Sequence, residues 1–572
     1  MPYSQFPEPP TEATLRSARH ELSSKLAELE SLTGRIATTE SALAEIVSSY
    51  KRTIAALQQE KSQVEQAVAQ TRAYVAPIRR LPDELVRVVF NAAFDEYACA
   101  AWVLSGVCRH WRRLTFAMPR IWSKIRLVTT QHASADTIRL WLERSGSLTP
   151  LDIEIFLQVG KNETKLAQTR RRRTPTPPTP FWHTATHPPA MHHLQTPVVV
   201  PPSPPMYRGN GEKAGNSTVR TGMHWGHIAV YYLVEQMHRW ERFVFRFEKQ
   251  FASILALKSI LGDAPLLKEF EVSCAEPAFY SDWLWLPSAA ANSTFALPNL
   301  DTLTLRYMPF KWSSPMFRTN LTSLTLHALP TGHFPLDRIL HILSANPGLI
   351  SLSIHFAAVI AAILPLSPVS LPRLANLSMG GHYLLSQLLE SLIAPTLEQL
   401  TLDIEARDPI EDTITNLLVR SNNPPLTTLA VAYGGSATSL SYYGSGIVIS
   451  WTFLAELRHL RTLRVGGTPF EPLLGALADG EDWLCPALTG LAMKSCHTHG
   501  EGVKQLVQMV AARNPDAGAA SGAPVRLQRL ELYECASIGT DVVAWLEGRI
   551  DEVVCTEPTY DRQVFFSPVL GE

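Results

Sequence analysis

From Trp240 onward one spacing returns eleven times: an apolar residue, two intervening residues, a second apolar residue, one residue, and a third apolar residue. The first copy is Trp240, Phe243 and Phe245, and the second is Leu267, Phe270 and Val272. Later copies begin at Leu300, Leu321, Leu349, Leu374, Leu397, Leu426, Leu460, Leu488 and Leu527. From Leu267 on, the starts lie 21 to 39 residues apart, about 29 on average. The last two apolar positions of each copy follow the two-residue period of a strand. Helical stretches follow several copies: Leu336 to Ser344, Tyr383 to Leu392, Val503 to Arg513 and Thr540 to Ile550. A strand–turn–helix unit of this size cannot bury its apolar side alone and must stack on its neighbours. The expected fold over residues 223–557 is therefore an irregular α/β solenoid with a parallel sheet on its concave face.

Parity sorts the strand residues. Where Leu303 and Leu305 point inward, Thr304 and its flanks Thr302 and Arg306 point to the concave surface. Carried across the repeats, the central column is Glu271, Thr304, Thr325, Ser353, Ser378, Thr401, Ala430, Arg464, Ala492 and Glu531. The next column is Ser273, Arg306, His327, His355, Gly380, Asp403, Ala432, Gly466, Lys494 and Tyr533. Most of these are small and neutral. Arg306, His327, His355, Asp403, Arg464, Lys494 and Tyr533 have recognition value and are the candidate substrate-binding residues. Pro265, Pro298, Pro347, Pro372, Pro395, Pro424 and Pro486 each precede the first leucine of a copy by two residues. They are expected at the start of the strand, where no ladder hydrogen bond is owed. The pattern resembles the leucine-rich repeat, at the long end of its range. Cys496 and Cys535 fall where that consensus holds a buried asparagine or cysteine serving the turning backbone. Cys496-His497-Thr498-His499 is accordingly read as a repeat turn rather than a metal site.

Residues 11–75 contain no proline. Leu15, Leu22, Leu29, Ile36, Leu43, Tyr50, Leu57 and Val64 keep a seven-residue period over eight positions. Leu26, Val47, Ile54 and Val68 add a partial second seam. Arg19, Thr33, Glu40 and Lys61 interrupt it, and Gly34 weakens the middle. This is the pattern of a coiled-coil helix. A homodimer, an antiparallel packing and a lone amphipathic helix all fit it.

Residues 77–127 carry apolar side chains at three- and four-residue spacing, which predicts two or three short helices. Asp83 is placed to cap the first, with Pro82 in its opening turn. About fifty residues make a marginal core. These residues also hold more large apolar side chains than such a core buries, which points to a partner surface. Leu81-Pro82-Asp83-Glu84-Leu85, taken with Val107-Cys108-Arg109-His110-Trp111, resembles an F-box of the form found in fungal F-box proteins. The matching residues are Leu81, Pro82, Leu85, Val88, Phe90, Leu104, Val107, Cys108, Trp111 and Trp122. The resemblance implies that they dock a Skp-type adaptor of a cullin–RING ubiquitin ligase. Coiled coil, F-box and leucine-rich repeats recur in that order in fungal F-box proteins, so the flanking segments add to the resemblance by arrangement.

Ala133 to Ser145 reads as a helix and Leu151 to Ile155 as a strand, a first repeat-like unit over residues 128–169. Residues 170–222 hold eleven of the 42 prolines and the run Arg170 to Arg173, and they keep no periodicity. They are read as a disordered insert, and residues 1–10 and 558–572 as tails. His183, His187, His192 and His193 in the insert lack the cysteine or carboxylate that usually completes a zinc cage. Lys and Arg number 51 against 52 Asp and Glu, so no global attraction to nucleic acid or membrane follows. The arginine run also lacks aromatic stacking platforms.

Seven dispersed cysteines without a C-x-x-C suit a reducing compartment. With no signal-peptide core and no apolar run of spanning length, the chain is expected in the cytoplasm or nucleus. There is no G-x-S-x-G, P-loop, H-E-x-x-H or dinucleotide fingerprint, so no enzyme activity, cofactor or metal is expected. The expected function is that of a substrate-recognition adaptor of an SCF-type ubiquitin ligase. The F-box would hold the ligase and the repeats a protein substrate, with the chemistry supplied by other subunits through proximity. The alternative is a ligase-independent scaffold assembled by its coiled coil, with the helices of residues 77–127 packed on the solenoid.

Overall fold

The computed structural model describes residues 11–130, 133–158, 198–199, 225–249, 254–276, 297–329, 332–362, 365–404, 410–432, 450–479, 483–494, 496, 501–515, 524–535 and 538–556. The chain divides into two compact units, Met1–Val88 and Val89–Glu572.

In the first unit, α1 (Glu12–Val75) is one unbroken 64-residue helix. No proline interrupts it, and Thr33, Thr53 and Thr71 turn their hydroxyls back onto carbonyls four residues earlier. The heptad residues, Leu15 to Val64, are all exposed. Helices owe most of their stability to packing. The ion pairs along α1, such as Lys25–Glu21 at 3.1 Å, are exposed and add little. A 3₁₀ turn, Pro77–Arg80, leads to α2 (Asp83–Glu96). The Pro82 carbonyl opens α2, accepting from the Leu85 and Val86 amides at 3.1 Å. Asp83 is thus the first helical residue rather than the residue before it. With Glu84 it sits where the helix dipole favours negative charge.

In the second unit, α3 (Ala100–Val107) and α4 (Arg109–Phe116) are separated by an extended Cys108, whose Sγ accepts the Trp111 amide at 3.4 Å. The core beneath them is aromatic. Phe90 lies edge-on to Trp111, with ring centroids 4.9 Å apart. Trp102 lies edge-on to both Trp122 and Trp141, each at 5.2 Å. The Trp122 indole N–H donates to the Thr115 carbonyl at 2.9 Å. Trp141 belongs to the next helix, α5 (Asp136–Arg144). Arg144 of the same helix sets its guanidinium 4.6–4.8 Å from the rings of Trp102, Phe116 and Trp122. Residue 127 is therefore no boundary: α3 and α4 share their core with the unit that follows. The first sheet strand, β1 (Lys124–Thr130), already starts inside the segment read as separate.

The sheet continues with β2 (Leu151–Gln158), β3 (Val198–Val199), β4 (Trp240–Phe247), β5 (Glu269–Cys274), β6 (Thr302–Arg306) and β7 (Ser323–His327). Ser351–Phe356, Asn376–Gly381, Gln399–Ile404, Thr428–Ala432, Thr462–Gly466, Gly490–Lys494, Arg529–Tyr533 and Glu552–Thr556 complete one 15-stranded sheet. Its paired strands are parallel, and except for β3, on the outer edge of β1, each lies beside the next in chain order. Parallel neighbours require crossovers. Short helices lie in several of them, among them Leu336–Ser344, Ile410–Arg420, Phe470–Ala478 and Gly502–Arg513. The registers stack repeat on repeat, so Leu303, Leu324, Leu352, Leu377, Leu400, Leu429, Leu463, Leu491 and Leu530 form one buried row.

The prolines stand before the strands rather than in them. Pro265, Pro298, Pro347, Pro372, Pro395 and Pro486 take the second position of a tight turn closed by the first leucine's amide. Leu267 N reaches Ala264 O at 3.1 Å, Leu349 N reaches Asn346 O at 3.2 Å, and Leu488 N reaches Cys485 O at 3.0 Å. A fixed backbone torsion suits that position. Pro424 departs, since its own carbonyl accepts from Leu426 at 2.7 Å.

Within residues 170–222 the description covers only Val198–Val199, paired with Leu127 and Val128. A β-branched pair has thus joined the sheet inside a tract read as wholly irregular. Arg170 to Arg173, the four histidines of that tract, His497 to His499 and both tails lie outside the described residues. No described helix is long and apolar enough to cross a membrane.

Candidate functional site

Two surfaces carry the candidate residues. The first is helical. Along α2, residues three and four apart share a face. Val86 and Phe90 are buried, while Leu85 and Val88 are 51% and 63% exposed. Leu81 and Pro82, just before the helix, are exposed as well. In the second unit Val89, Val103 and Val107 are exposed and Leu104 is half-buried.

Four of the residues expected to touch a partner have other work. Phe90 and Trp122 are enclosed in the aromatic core. Cys108 caps α4, and Trp111 lies against Phe90. Bulky rings at helical spacing fill a core first, and motif matching does not separate the two uses. Val103, four residues before Val107 on α3, is an exposed apolar residue that the motif did not single out. Its signal is the four-residue spacing alone.

The second surface is the polar face of the sheet. The registers set the two columns read from parity side by side, strand to strand, from Glu271 to Glu531 and from Ser273 to Tyr533. All seven candidate substrate-binding residues stand on this face. Arg464 is exposed, and Arg306, Lys494 and Tyr533 are half-buried. His327, His355 and Asp403 are buried, against the expectation of an open surface. Strands about 4.8 Å apart let long side chains cover short neighbours. A Cβ on Gly380 would collide with His355 Nδ1, so that ring lies over the glycine. His327 Nε2 is 3.2 Å from Ser353 Oγ, and the His327 and His355 rings are 5.7 Å apart.

Tyr307, the residue after Arg306, adopts a left-handed φ of 53° and donates its amide to His327 O at 2.7 Å. Gly467 and Glu534 repeat the device, donating to Lys494 O and Thr556 O, each at 3.0 Å. Such a φ costs a non-glycine residue about 1–3 kcal/mol. Burial pushes the Tyr307 hydroxyl up to about 12. Burial also lowers the pKa of Lys494, against the pull of Glu534 and Asp403.

The first strands carry a charge lattice that the columns, begun at Glu271 and Ser273, touched only at its edge. Glu154 is 2% exposed and faces three arginines: Arg126 Nε at 3.4 Å, Arg242 Nη1 at 3.0 Å and Arg246 Nη1 at 2.7 Å. Asp152 pairs with Arg126 and, at 3.3 Å, with Arg242. Arg242 Nε also holds Glu269 at 2.8 Å. Arg246 grips Glu271 with two parallel bonds of 2.7 and 2.6 Å, and Ser273 Oγ donates to the same carboxylate at 2.8 Å. Burial by itself lowers the pKa of Arg242 and Arg246, but the carboxylates around them leave both raised. The signal in the sequence was the period-two placement of Asp152 with Glu154 and of Glu269 with Glu271, opposite Arg242 and Arg246.

The cysteines serve the backbone. Cys496 Sγ has the Val465 and Lys494 carbonyls in reach of its one proton at 3.6 and 3.5 Å, and Cys535 Sγ those of Met493 and Tyr533, both at 3.3 Å. Among the described residues no group of three or more His, Cys, Asp or Glu side chains could hold a metal ion. No protein-family model and no curated protein matches this chain.

Proposed function

We propose that the chain is a substrate-recognition adaptor of a cullin–RING ubiquitin ligase, with residues 77–127 acting as an F-box and the repeats acting as leucine-rich repeats that hold a protein substrate. One observation carries this reading. Leu81, Pro82, Leu85 and Val88 stay exposed while Val86 and Phe90 of the same helix are buried. A helix with an apolar core face needs no second apolar face for folding, and exposed apolar groups mark binding sites. Catalysis would be proximity, with the ubiquitin chemistry on other subunits, and the complex would work in the cytoplasm or nucleus. The test is whether a Skp-type adaptor co-purifies with the full chain.

A second reading, a ligase-independent scaffold, draws on two features. The helices after Val89 share an aromatic core with α5, and the heptad stripe of α1 is open to self-association. It predicts an assembled chain that retains no adaptor.

A further inference from the structure

Several buried and half-buried arginines of the second unit are answered in two ways. Arg513 gives its three nitrogens to the carbonyls of Leu477, Cys485 and Leu484. Arg239 bonds Thr149 O, Gln236 and Ser145. Arg126, Arg242 and Arg246 hold carboxylates. Arg306 is different. It stands on the same polar face, in register with Ser273 on one side and His327 on the other. Its Nε is buried without a hydrogen-bond partner among the described residues.

The Glu271 carboxylate on the next strand attracts it, but both oxygens of that group are already held by Arg246. Burial lowers the Arg306 pKa, Glu271 opposes that, and Arg246 adds to it. Arginine does not escape such a cost by losing its proton. A half-buried guanidinium with a bare Nε gives up part of its hydration without a full replacement, and an added acceptor would supply one.

We infer that Arg306 is an anion subsite on the sheet, and that it takes a carboxylate or phosphoryl group carried by the protein partner through the two-pronged geometry of its guanidinium. The inference rests on the reading of this face as the partner-binding surface.

The test is thermal unfolding of the full chain in phosphate, acetate or chloride at matched ionic strength and pH. The expected result is a saturable rise in midpoint with phosphate or acetate that chloride does not produce. A larger phosphate arm assigns a phosphoryl group, and an equal or larger acetate arm assigns a carboxylate. Arg306→Gln should weaken the apparent anion affinity at least about tenfold, since it removes the charge that the anion would pair with. It should itself unfold at or above the wild-type midpoint, because an unanswered charge has gone. Arg306→Lys keeps the charge without the fork and should fall between the two. No anion-specific rise in wild type, an unchanged rise in Arg306→Gln, or an Arg306→Gln chain that unfolds well below wild type would each overturn the assignment. The readout uses neither adaptor nor substrate, so its failure and a failure of adaptor capture are told apart.

Discussion

Asn346 is buried, with all of its amide used. Oδ1 accepts the Leu321 amide at 2.8 Å, and Nδ2 donates to Phe317 O and Ile342 O at 2.7 and 2.8 Å. Asn514 does the same for the Leu527 amide and for Leu527 O and Arg549 O. Each ties down turn backbone that would otherwise be buried unpaired. Asn346→Ala should cost about 2–4 kcal/mol in urea unfolding, because several partners lose their bonds together. A loss under about 1 kcal/mol would mean that water replaces the amide. Glu154→Ala should cost about 3–5 kcal/mol, since it removes the buried carboxylate that three arginines share. Lys268→Ala, which breaks an exposed pair with Glu241, should be close to neutral by the same assay. At this scale the sequence was least legible. Asn346 before Pro347 reads as a turn, but nothing in the pattern says that its amide reaches Leu321. His355 reads as outward by parity, and only Gly380 beside it explains why the ring is covered.

The elements were plainer, because a period survives substitution of any one residue. The leucine rows, the two polar columns and the heptads all follow from spacings of two, three or seven. Helix ends were less clear: the stretch Tyr383 to Leu392 narrows to Leu385–Glu390, since Leu392–Ile393 pairs as a strand with Val369–Ser370. The prolines were placed one step too late, because a residue barred from a ladder and a residue suited to a turn look alike in sequence.

For α1 the exposed stripe sets the expectation. If two copies pair along it, Leu29→Asp with Leu43→Asp should convert dimer to monomer by sedimentation. A wild-type chain that is monomeric at tens of micromolar (~10⁻⁵ M, a weak affinity) rules the pairing out. Nothing lies within 4 Å of a Cβ added at Gly34. Gly34→Ala should therefore stabilise the helix by about 1 kcal/mol, read by thermal circular dichroism.

At the scale of the whole molecule, the proposed function has folding and binding draw on different apolar residues. Trp102, Trp122, Trp141 and Phe90 belong to a core that joins α3 and α4 to the start of the sheet. Trp122→Ala should accordingly destabilise the second unit. Leu81, Pro82, Leu85 and Val88 are exposed and contribute little to any core, and the proposed function assigns them to a partner. The sequence motif contains both sets without separating them, because its spacing records the helix and not the side that is covered. The measurement that bears most directly on the proposed function is the affinity of the full chain for a purified Skp-type adaptor, compared with Leu81→Ala plus Pro82→Ala. Interface energy concentrates in a few buried apolar anchors, so the double variant should bind at least about a hundredfold more weakly. Its circular dichroism and melting should match wild type, as both residues are exposed. A double variant that binds as tightly as wild type, or a wild-type chain that binds no such adaptor, would contradict the account.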